Sequence, residues 1–250
     1  MNNDAPTLVG THFAIYAPQS LNDFSQKLME YMQKKAENIL GVFGTQKFEL
    51  VDIFLFDNRD DFIANEIKRG LTPRAYSEGA FGNGAIYYLI NTQRLGEPFF
   101  ENNKIRNISH EFVHLVFKKH TKESIKKRIV WLDEGCAQCF SGEKWKLDTD
   151  EGAFKQFFEN DIVASNLIIP PLDFLCKHGS RYGEFVDMET NKYSGYKLSY
   201  LMVRYLIETC GVEEFIRILK IEKDIAEISV DILNKAVDFY KNKFEISSDD

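Results

Sequence analysis

His110, Glu111 and His114 make a His-Glu-x-x-His pattern within His110-Glu111-Phe112-Val113-His114. On a helix, positions i and i+4 lie one turn apart on a single face. Two imidazoles so placed can reach one zinc ion, and Glu111 stands where a carboxylate can hold an attacking water. Downstream, Trp131-Leu132-Asp133-Glu134-Gly135-Cys136-Ala137 puts a glutamate in a second stretch of helical character. Glu134 as third ligand completes a His/His/Glu site with one position left for water. The chemistry expected of such a site is hydrolysis of a peptide bond. Zinc brings the pKa of water towards about 7 and polarises a carbonyl, while Glu111 as general base carries the water proton to the leaving amine. One Zn2+ per chain is the expected cofactor, and a peptide or protein the expected substrate. Gly135 offers no side chain to obstruct the metal helix or a substrate. Trp131 is expected to pack between the two metal-bearing helices.

The elements that must position these residues follow from hydrophobic period. Residues 11–16 alternate and predict a strand, after a loose lead-in over residues 1–10. Leu21, Phe24, Leu28, Tyr31 and Met32 recur at helical spacing and predict a helix over 21–40. Residues 48–56 predict a strand, 60–68 a helix and 85–91 a further strand. Strand, helix, strand, helix, strand builds a small α/β lobe with a mixed sheet. Between them, Glu78-Gly79-Ala80-Phe81-Gly82-Asn83-Gly84 lacks the Gly-Lys-Ser/Thr ending of a phosphate loop. It reads as a hairpin or an exposed edge strand beside the active site, able to pair with an extended peptide. Beyond residue 100 the pattern is helical. Helices are expected over 105–119, through Glu134 to 140, and over 152–161, 194–210, 212–221 and 229–244. One or two helical turns are expected at 172–177, a loop over 179–192 and disorder over 247–250. The expected class is α+β. A small N-terminal α/β lobe, residues 1–100, packs against a mainly helical lobe, residues 101–250, with the active-site cleft between them.

Bulk properties narrow the function. The chain has 250 residues, 44% of them hydrophobic, enough for a core in one domain or two lobes. Its net charge of −7, from 31 basic and 38 acidic residues, argues against a nucleic-acid partner bound through phosphates. The short clusters Lys118-Lys119-His120 and Lys126-Lys127-Arg128 read as solvated helix ends. No apolar run reaches the about 18 residues of a membrane span. The N-terminus has no basic segment followed by an apolar one, so the expected location is cytoplasmic, or secreted if a leader has been trimmed away. Cys136 and Cys139 form a Cys-x-x-Cys with no second copy, read as two small apolar side chains on one helix face rather than a redox pair or half a metal site.

His-Glu-Phe-Val-His followed by Trp-Leu-Asp-Glu-Gly-Cys-Ala resembles the gluzincin metallopeptidases, and within them the peptidase MA-like proteins. These share a thermolysin-like catalytic core with the M1 aminopeptidases. The resemblance extends through Pro170-Pro171-Leu172 and Tyr193-Ser194-Gly195-Tyr196 to Gly211, and so covers roughly residues 75–220. It implies an edge strand that binds substrate, here carried by Gly79, Ala80, Phe81 and Gly82. It implies a tyrosine on a later helix that assists the oxyanion, Tyr196 or its neighbour Tyr193. His178 and His12 are weaker candidates for that task, and His120 is expected to be solvated. In two respects the chain departs from the pattern of the families it resembles. The strand has no acid where aminopeptidases grip a free amine. Gln138 stands where the thermolysin group has an aspartate partner for a histidine, and could accept an imidazole N–H without charge. The alternatives to a peptidase are an idle zinc-binding or interaction protein on this scaffold, and a zinc hydrolase of a non-peptide substrate.

Overall fold

The structure is a computed structural model. It describes residues 5–45, 47–71, 78–121, 128–142, 150–163, 175–176, 185–186, 192–193, 195–221 and 225–246. The fold is α+β, and the chain divides into two compact units, Met1–Val116 and Phe117–Asp250.

The N-terminal unit is built on a five-stranded mixed sheet. Its strands are β1 (Leu8–Val9), β2 (Phe13–Tyr16), β3 (Val51–Phe56), β4 (Gly79–Gly82) and β5 (Ala85–Leu89), in the order β1-β2-β3-β5-β4. The central pairs β2·β3 and β3·β5 are parallel, while β1 and β4 are antiparallel to their neighbours. Parallel neighbours require crossovers, and helices α1 (Asn22–Val42) and α2 (Arg59–Lys68) supply them. Helix α1 buries Phe24, Leu28, Met32 and Ala36, an i, i+4, i+8, i+12 stripe. Helix α2 opens on Asn58, whose side chain accepts the Asp61 N–H. Phe56, Phe62, Ala85 and Tyr87 form a core cluster between α2 and the sheet.

Glycines decide the β4–β5 hairpin. Its two-residue turn, Asn83-Gly84, has φ of 51° and 76°, the doubly left-handed pair that matches the twist of a hairpin. The hairpin and the edge strand anticipated for this stretch are thus both present: β4 pairs only with β5 among the described residues. Residues 1–10, expected to be a loose lead-in, instead supply β1, paired through Leu8↔Ile15 and Val9↔Ala14.

Helix α3 (Pro98–Thr121) carries both histidines and begins well before residue 105. Proline at a first helical position has its φ already set and needs no N–H partner there. The division between the units falls within this helix.

The C-terminal unit contains α4 (Val130–Phe140), α5 (Glu151–Phe158), α6 (Gly195–Cys210), α7 (Val212–Ile221) and α8 (Ser229–Lys243). A π-turn over Glu159–Val163 follows α5, and a short antiparallel ladder joins β6 (Phe185–Val186) to β7 (Lys192–Tyr193). Phe154, Tyr240 and Phe244 pack ring against ring, with the Arg204 guanidinium 3.9 Å above Phe154. The expected turns at 172–174 and 177, the loop at 179–184 and 187–191, and the tail at 247–250 lie outside the described residues. Among the described residues no helix is long and apolar enough to cross a membrane.

Candidate metal centre

Phe112 anchors the helix that carries the motif. It is fully buried, edge-on to Phe13 of β2 at 5.0 Å and to Phe48 at 5.6 Å. Val113 beside it is also buried. With Phe112 and Val113 turned into the core, the 100° step of the helix directs His110 and His114 to another face. Their Nε2 atoms stand 3.1 Å apart, and their rings are nearly perpendicular at 86°. His114 is 2% exposed, and the Phe81 ring of edge strand β4 stacks on it at 4.7 Å and 18°.

Glu134 lies in the first turns of α4 and is buried. One ligand atom from each of His110, His114 and Glu134 can be chosen so that all lie within 4.8 Å of one another. This is the only group of three or more metal-ligating side chains found among the described residues, and it can hold a metal ion. Glu111, between the histidines on α3, is half-buried.

Gly135 explains how α4 sits. A Cβ there would lie 2.4 Å from the Ser199 carbonyl oxygen and 2.4 Å from Val203 Cγ2, both on α6. The space beside Glu134 is therefore taken by a neighbouring helix backbone. Trp131 is fully buried and donates its indole N–H to Ser229 Oγ at 2.7 Å, at the start of α8.

Two neighbours of the site give no signal in the sequence. Arg128, expected on a solvated helix end, instead donates from Nη2 to Glu134 Oε1 at 2.8 Å and from Nε to Asp133 Oδ2. Burial opposes the guanidinium charge, but the Asp133 and Glu134 carboxylates outweigh it and hold the proton more firmly than usual. Tyr88 of β5 is buried near Glu111 and hydrogen-bonded with Asn107. Burial, and then the Glu111 charge, push its phenol well above its ordinary range, so it stays neutral. A tyrosine within an apolar strand run looks like packing, and an arginine outside a helix shows no partner by spacing; only the fold reveals either.

The remaining candidates are placed as follows. Tyr196 is half-buried at the second position of α6, three residues before the Ser199 that meets Gly135, so the two share a helix face. Tyr193 falls in β7, with its side chain outside the described residues, as is all of His178. Gln138 is 2% exposed on α4, and its Oε1 accepts no hydrogen bond among the described residues. His120 is not simply solvated: its Nε2 lies 3.3 Å from the Ile216 carbonyl oxygen. Cys136 and Cys139 form no disulfide, and burial pushes the Cys136 thiol far up, which keeps it a protonated, unreactive group. In comparisons with known proteins, the chain matches no protein-family model and no curated protein sequence.

Proposed function

We propose that the chain is a zinc-dependent metallopeptidase of gluzincin type, with His110, His114 and Glu134 as metal ligands and Glu111 as general base. The observation that carries this reading is the convergence of three donors of the right types within 4.8 Å, with Glu111 on the helix that supplies two of them. The spacing of the histidines fits the ion. Two nitrogens each about 2.05 Å from a tetrahedral zinc stand roughly 3.3 Å apart, against 3.1 Å between the Nε2 atoms. Nitrogen and carboxylate donors without thiolates are also the set used by catalytic rather than structural zinc.

When bound, such an ion polarises the scissile carbonyl and makes water more acidic. Glu111 takes a proton from the attacking water as the new C–O bond forms. It returns that proton to the amine nitrogen as the C–N bond breaks. Tyr88, kept neutral, adds no second negative charge beside this base. Tyr196 donates its phenolic hydrogen to the oxyanion. Strand β4, Gly79–Gly82, offers its outer backbone edge to an extended substrate, and Gly79 and Gly82 leave room for the Tyr88 and Leu71 side chains on its faces.

The test is Glu111→Gln beside wild type. Elemental mass spectrometry is expected to find about one zinc per chain in both, and a fluorogenic peptide library to show a loss of about 10²–10⁴-fold in the variant. Zinc in wild type with cleavage of no peptide would sink the peptidase reading. Unchanged activity in the variant would sink the role of Glu111.

A further inference from the structure

Arg128 has a task that neither the motif nor the resemblance assigns. It precedes α4 by two residues, and its guanidinium forks across two carboxylates adjacent in the chain, Asp133 and Glu134. Both carboxylates are 5% exposed at the side chain, whereas Arg128 is 38% exposed. A buried glutamate on a helix has several rotamers, and a ligand must occupy one of them. Helix α4 fixes the Cα of Glu134 through Gly135, but nothing in that contact fixes the carboxylate. The Nη2–Oε1 hydrogen bond does, and the Nε–Asp133 hydrogen bond fixes Arg128 in turn. The planar fork holds both acceptors in a fixed relative geometry, which the rotatable donors of an ammonium do not impose.

We propose that Arg128 is a positioning residue for the metal centre: by bridging Asp133 to Glu134 it holds the Glu134 carboxylate in the orientation in which it ligates. The inference rests on the zinc reading above and deepens it. Charge and position make opposite demands here. A cation beside a metal site repels the metal, so if Arg128 acted through charge alone, its removal would tighten metal binding. If Arg128 positions the ligand, its removal weakens binding despite the relief of that repulsion. The sign of the effect therefore separates the two.

The experiment measures zinc affinity by chelator competition at one pH for wild type, Arg128→Ala and Arg128→Lys, with Co2+ absorption spectra of each. Circular dichroism in EDTA checks that each is folded. Loss of an outer partner of a ligand is expected to weaken zinc binding about 10–100-fold in Arg128→Ala. Arg128→Lys keeps the charge but not the fork, and is expected to fall between Arg128→Ala and wild type. The Co2+ spectrum is expected to change in both. Affinity in Arg128→Ala equal to or tighter than wild type overturns the inference while leaving the zinc reading intact. No zinc in wild type overturns both. Should Arg128→Ala fail to fold, Arg128→Lys decides, and wild-type affinity there overturns the need for the fork.

Discussion

Replacing Gly135 by alanine tests how tightly the site depends on the approach of α6 to α4. The added Cβ would stand 2.4 Å from a backbone oxygen, Ser199 O, and ordinary van der Waals contact begins at 3.4 Å. The helices must therefore separate locally by up to 1.0 Å (3.4 − 2.4). The obstacle is backbone, so no side chain can swing aside to absorb the change. Overpacking of this kind costs about 1–3 kcal/mol, and the better helix propensity of alanine returns about 0.5–1 kcal/mol. The net loss of about 0–2.5 kcal/mol lowers Tm by up to roughly 10 °C in a chain of this size. Gly41→Ala is the internal control. Gly41 is also helical, in α1, but a Cβ there meets nothing within 4 Å. Only the propensity gain remains, so its Tm is expected to hold or rise slightly. Because Glu134 precedes Gly135, a shift of this size also moves a ligand, and zinc affinity falls in Gly135→Ala and not in Gly41→Ala. Thermal melts by circular dichroism in EDTA, with chelator competition for zinc, measure both effects. Gly135→Ala melting with Gly41→Ala and holding zinc as well would refute the argument that close helix approach sets the ligand.

Two further outcomes follow from the same geometry. Phe81→Ala removes the ring stacked on His114, an aromatic contact of about 0.5–1.5 kcal/mol, and is expected to weaken zinc binding roughly 2–10-fold, while Phe81→Tyr keeps it; equal affinity in Phe81→Ala would show that the stack does not orient the imidazole. Glu101 accepts from the Lys27 ammonium at 2.7 Å and from the Gly96 N–H at 2.9 Å, and these hold its carboxyl below the ordinary glutamate range. Its folded pKa being the lower one, the unfolded chain binds more protons, so this contribution is present above the ordinary glutamate pKa and is lost as pH falls through the depressed value. Denaturant titrations from pH 7 to pH 3 are expected to show a shallower acid loss of stability in Glu101→Gln than in wild type; parallel curves would exclude Glu101 as a contributor.

How much of this was legible depended on the range of the interactions. The stripe on α1 and the Asn83-Gly84 turn are local patterns, and period or residue type reveals them. So is the i, i+4 pair His110 and His114, which one helix turn brings together whatever the rest of the chain does. Strand β1 has only two residues, too few to display a period, and its place depends on pairing with β2. Glu134 joins the histidines through tertiary structure, so its spacing from them along the chain cannot by itself establish the approach. Arg128 pairs with residues five and six positions on, which is no helical spacing, and it sits among lysines that invite a reading as solvated charge. Tyr88 lies in a strand buried at four consecutive positions, so it reads as packing, and only the fold brings it near Glu111.

The composition of helix α4 fits the proposed metal site better than packing alone. Val130, Trp131, Leu132, Cys136 and Ala137 are buried, as the core of a helical unit requires. Asp133, Glu134 and Gln138 are buried on the same eleven-residue helix. Leucine at these positions would remove the burden of desolvating two carboxylates and an amide. Arg128 offsets part of that burden for the acids. It does not reach Gln138, whose carbonyl oxygen stays without a hydrogen bond among the described residues, at a penalty of about 1–3 kcal/mol for such a buried acceptor. Gln138 lies four residues after Glu134, on the face that presents the ligand. Its amide oxygen can only accept, and an imidazole whose one nitrogen holds a metal has the other N–H to donate. Departures from local packing rules concentrate where a chain does chemistry. On α4 they are Glu134, Gln138 one turn beyond it, and Asp133, which Arg128 bridges to Glu134, whereas Trp131, donating to Ser229, makes an ordinary satisfied core contact.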